Sequence, residues 1–91
     1  MASVAAFPLD RIVIRGESRS VVERLAEPLY RALSGRPALY RVNIDAVGRV
    51  GEVVVSIEGS KGRLPLLFGK DELEPGFVFR VVDDAIRRYD F

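Results

Sequence analysis

Leu39-Tyr40-Arg41-Val42-Asn43-Ile44-Asp45-Ala46-Val47 alternates apolar and polar residues with a period of two. A glycine-bracketed link, Gly48-Arg49-Val50-Gly51, follows, and the chain returns as Val53-Val54-Val55-Ser56-Ile57, rich in β-branched residues. Two such runs joined by a short glycine-containing link predict a β-hairpin over 39–58. The alternation also assigns its faces. Tyr40, Val42, Ile44, Val53, Val55 and Ile57 point inward to a core, and Arg41, Asn43, Asp45 and Val54 point to the other side.

Upstream, 9–15 reads as a strand with Ile12 and Ile14 on one face and Arg11, Val13 and Arg15 on the other, closed by Gly16-Glu17-Ser18. Ser20 with Glu23 matches a capping box, in which each side chain satisfies a free backbone N–H at a helix start. Val21, Val22, Leu25, Leu29, Ala32 and Leu33 then recur at helical spacing. Pro28 interrupts this helix by removing a hydrogen bond and crowding the preceding turn. The apolar stripe stays in phase on both sides, so one kinked helix is expected, ended by Gly35 with Pro37 close behind.

Downstream, Gly59-Ser60-Lys61-Gly62 predicts a turn into a strand in which Leu64, Leu66 and Phe68 alternate. Pro65 cannot donate to a ladder, which assigns this strand to the sheet edge. Glu74-Pro75 marks a second helix start. Val78, Val81, Val82, Ala85 and Tyr89 form its stripe, widened by Phe77, Phe79 and Ile86. Asp83 with Arg87, and Asp84 with Arg88, are i,i+4 pairs in the favourable orientation. The β-branched content of 77–82 leaves a strand as the alternative there. The expected order is β-α-β-β-β-α: an α+β two-layer sandwich, its antiparallel or mixed sheet covered by two helices on one face. The 91 residues form one domain, with 1–6 expected to lie loosely at its start.

Composition narrows the chemistry. The chain has no cysteine and no histidine, which removes disulfides, thiolate metal sites, the usual general base near neutral pH and the commonest zinc ligand. Asp71, Glu72 and Glu74, beside Lys70, lack the ligand spacing of a calcium loop and read as a solvated helix start. The two GxxG patterns sit in hairpin turns, not between a strand and a helix N-terminus where a phosphate cradle needs them. No enzymatic activity, metal or cofactor is expected. A net charge of +1 gives no global attraction to nucleic acid or membrane. The short N-terminal apolar run falls far below the ~20 residues of a membrane span, so a cytoplasmic, soluble protein is expected.

Two surfaces remain as candidates. The outer sheet face would carry Val13, Arg15, Arg41, Asn43, Asp45, Val54 and Leu67, with Val13, Val54 and Leu67 forming an apolar spot inside a ring of charges, as a protein interface is built. A non-catalytic interaction module, homodimeric or part of a larger assembly, is the expected function. The alternative is RNA or DNA binding through a basic pole of Arg11, Arg36, Lys61, Arg63, Arg87 and Arg88 at one end of the sandwich.

Overall fold

The computed structural model describes residues 4–6, 12–36, 39–47 and 51–91. In chain order these form β1 (Val4–Ala6), β2 (Ile12–Gly16), α1 (Arg19–Leu33), β3 (Tyr40–Val47), β4 (Glu52–Gly59), β5 (Gly62–Phe68), a 3-10 turn (Lys70–Glu72) and α2 (Pro75–Arg88). The sheet order is β1-β2-β3-β4-β5. Only the β2–β3 pair, joined through α1, is parallel; the other neighbours are antiparallel. The β-α-β-β-β-α order is therefore present, with one addition. Val4–Ala6, expected to lie loosely, pairs antiparallel with β2 in the register Ala5↔Arg15 and extends the sheet to five strands. Residues 9–11, 37 and 48–50, on which parts of the expected first strand, helix stop and hairpin link fall, lie outside the described residues.

Both helices cover one face. Ile12, Ile14, Tyr40, Val42, Ile44, Val53, Val55, Ile57 and Phe68 meet Val22, Leu25, Leu29 and Leu33 of α1 and Val78, Val82 and Ile86 of α2 in one buried cluster. Every inward hairpin residue named from the alternation is buried. The period-2 rule succeeds here because a pleated strand cannot turn single side chains to the opposite face without breaking register.

The helix start is displaced from the Ser20–Glu23 box. Ser18 is the N-cap, its Oγ accepting from the Val21 N–H at 3.4 Å, while Ser20 Oγ lies 3.2 Å from Ser18 Oγ. Helix α1 runs unbroken through Pro28, which is buried with the apolar stripe. Segment 77–82 is helical: the Glu74 carboxylate caps α2 by accepting from the N–H groups of Gly76 (3.0 Å) and Phe77 (2.9 Å), and Pro75 follows at the first helical position. Tyr89, assigned to the buried stripe of α2, is instead 59% exposed, because the helix has ended before it. Phe77 packs edge-on against Phe68, ring centroids 6.3 Å apart.

Gly16 is more than the end of a strand. It lies buried at the close of β2, opposite Ile44, and a Cβ there would meet both Ile44 O and Val22 Cγ2 at 2.7 Å. Its missing side chain sets how closely α1 approaches the β2–β3 pair.

Candidate functional site

The helices leave the other sheet face bare, and cross-strand register arranges it in four rows. Val13, Arg41, Glu58 and Arg63 form the first; Arg15, Asn43, Ser56 and Pro65 the second; Asp45, Val54 and Leu67 the third; Val47 and Glu52 the fourth. All seven residues predicted for an interface lie on this face. They do not form the predicted spot. Val54 and Leu67 are direct cross-strand neighbours beside Pro65, and Leu67 is 61% exposed. Val13 belongs to a different neighbourhood, because parallel pairing sets it opposite Arg41 with β3 between it and Val54. The apolar part is thus a strip on β4 and β5.

Val13 instead contributes to a shallow cavity of about 360 Å³ between β2, β3 and β4, lined also by Arg15, Arg41, Asn43 and Glu58. Arg15 and Arg41 make no ion pair among the described residues, although Glu58 shares this cavity. Glu58 is held instead by Arg63, Nη2 to Oε2 3.4 Å. Two guanidinium groups and an amide therefore converge on a concave patch, their donors without a protein partner among the described residues. Charge is also sorted along the strands in the net. Arg15, Arg41 and Arg63 outweigh Glu58 in the first two rows, and Asp45 and Glu52 occupy the last two.

The basic pole has a different character. Arg36, Lys61 and Arg87 do come together, around a second open cavity of about 480 Å³ floored by Tyr40, Ile86 and Phe91. Each has an acidic partner. Asp83 accepts from Arg36 through Oδ1 (3.0 Å) and from Arg87 through Oδ2 (3.1 Å), tying the end of α1 to α2. Lys61 Nζ donates to the Asp90 carboxylate at 3.0 Å and to its carbonyl at 2.6 Å. Arg88 is paired with Asp84 at 3.1 Å and does not line the cavity, and Arg63 turns onto the bare sheet face. Arg11 lies outside the described residues. Arg36 Nε is buried without a hydrogen-bond partner, so this arginine is held chiefly by the Asp83 contact.

The acidic stretch before α2 is engaged in backbone capping. Glu72 Oε1 accepts from the Gly69 N–H at 2.7 Å, and Glu74 caps α2. Among the described residues no group of three or more acidic side chains is placed to hold a metal ion, and no helix is long and apolar enough to cross a membrane. Comparison of the chain with protein-family models, curated proteins and solved structures finds no match.

Proposed function

We propose that this protein is a small non-catalytic interaction module that joins a protein partner, a second copy or a larger assembly, through the bare face of its sheet. The observation that carries this reading is the contrast between the two candidate surfaces. At the pole, every described cation is already matched by a carboxylate. On the sheet face a strip of exposed Leu67 and Pro65 with half-buried Val54 adjoins two arginines and an asparagine whose donors have no partner among the described residues. An apolar centre with a polar rim is the anatomy of a protein interface, in which the centre leaves water and the rim groups find partners. The pole gives weaker support to nucleic-acid binding, because a phosphate would have to displace Asp83 or Asp90 from cations they already hold.

The test is radical footprinting of the assembled protein against the protein diluted to monomer. Val54, Pro65 and Leu67 lose reactivity on assembly, while Phe77 and Tyr89, exposed on the helical side, keep theirs. Protection confined to the helical side refutes the proposal.

A further inference from the structure

Resting on the sheet-face reading, we infer that the occupant of this face is a second copy of the chain, stacked sheet on sheet about a two-fold axis that crosses the strands. The charge layout carries the inference. The first two rows carry Arg15, Arg41 and Arg63 against Glu58, and the last two carry Asp45 and Glu52, which make no ion pair among the described residues, so a face with no net preference for a basic or an acidic partner becomes complementary to itself when one copy is reversed end to end.

The axis lies in the plane between the sheets and turns the second copy's strands antiparallel to the first. Third-row residues then face the second row of the other copy. Asp45 of the second copy arrives over Asn43 and beside Arg15, at the mouth of the cavity where the Arg15, Arg41 and Asn43 donors are free. Leu67 meets Pro65 of the other copy, which places apolar strip on apolar strip. Glu52 comes over Glu58, whose charge Arg63 already offsets, and alongside that Arg63. Each contact occurs twice, as two-fold symmetry requires. An axis along the strands between β3 and β4 instead sets Arg41 over Glu58, which Arg63 already holds, and Asp45 over Val54, leaving that carboxylate on an apolar side chain without a cation.

Size fits a reversible dimer. Four strands at about 4.8 Å spacing and about 26 Å of strand length give roughly 500 Å² per copy, so the pair buries on the order of 1,000 Å², the lower bound of a specific interface. Edge-to-edge pairing through β5 is the less suitable route, since Pro65 lacks a backbone donor midway along that edge.

The experiment is a charge swap followed by sedimentation velocity and native mass spectrometry. Arg15 and Asp45 are both exposed, so Arg15→Glu and Asp45→Arg leave the core untouched, which circular dichroism verifies. Each variant alone sets like charges together at both contacts and weakens self-association by at least about tenfold. Mixed in equal amounts they form a heterodimer of intermediate mass, with both contacts restored and affinity near that of the unaltered protein. Unaltered protein that stays monomeric at every concentration overturns the inference and leaves the face to a different polypeptide. So does a mixture that fails to restore assembly. In that case Leu67→Glu separates the two levels: loss of the dimer retains the sheet face and rejects the two-fold arrangement, whereas an unaffected dimer rejects the sheet face itself.

Discussion

Asp90→Gly stabilises this protein even though it deletes a salt bridge. Helix α2 ends in a Schellman motif: the Asp90 N–H donates to Arg87 O (3.3 Å) and the Phe91 N–H to Ile86 O (2.9 Å), with Asp90 at φ +51° in the left-handed region. That conformation costs an L-residue about 1–2 kcal/mol, and glycine adopts it freely. Against this stands the Lys61–Asp90 pair at 3.0 Å, whose side chains are 54% and 96% exposed, so the pair contributes at most about 0.5 kcal/mol. Glycine also costs about 0.5 kcal/mol more chain entropy on folding. The bond from Lys61 to the Asp90 carbonyl survives the substitution. The balance is a gain of about 0.5 kcal/mol, a rise in Tm of about 2–4 °C for a domain of this size. Thermal melts followed by circular dichroism read it, with Asp90→Asn as the companion that removes charge and keeps shape. In about 1 M salt, where the pair is screened, the advantage of glycine widens. An Asp90→Gly variant less stable than the unaltered protein would refute the reasoning, since the carboxylate rather than the backbone would then hold the helix end.

Three further outcomes follow from the packing and the pole. Gly16→Ala drives a Cβ to 2.7 Å from both Ile44 O and Val22 Cγ2 and lowers stability by about 1–3 kcal/mol; urea unfolding with no change in midpoint contradicts the close approach of α1 to the sheet. Asp83→Ala strips Arg36 and Arg87 of their shared acceptor and costs about 1–2 kcal/mol, checked by the same unfolding curve, with a loss under about 0.5 kcal/mol counting against the α1–α2 tie. A fluorescent single-stranded RNA titrated at ~150 mM salt shows no saturable binding, because the pole is internally neutralised. Saturable binding that disappears in Arg36→Glu would move the functional surface to the pole.

What sequence patterns revealed follows the range of the interactions involved. Alternation in 39–58 carries the two faces of the hairpin, since inward and outward are fixed by one period of two. Helix–surface pairs such as Asp83–Arg87 and Asp84–Arg88 are equally legible, being set by one turn of helix. Alternation contains nothing about which strand lies beside which, and at what offset. Val13, Val54 and Leu67 share a face in the pattern, yet the parallel β2–β3 register separates Val13 from the other two. Ser18 and Ser20 are both residues competent to cap, and the extended backbone at Ser18 makes it the N-cap. Strand β1 is three residues long, too short to display a period, and its pairing with β2 defines it. The neutralisation of the pole depends on partners far apart in sequence, Arg36 with Asp83 and Lys61 with Asp90, which no local spacing discloses.

Association through the bare sheet face is tested most directly by the sedimentation coefficient as a function of concentration, for the unaltered protein and Leu67→Glu side by side. Leu67 is 61% exposed beside Val54, so the substitution leaves the fold intact while placing a charge in the apolar strip. The unaltered protein should rise from the monomer to the dimer value as concentration increases, and Leu67→Glu should stay at the monomer value throughout. Curves for the two proteins that rise together to the dimer value would contradict an interface on this face.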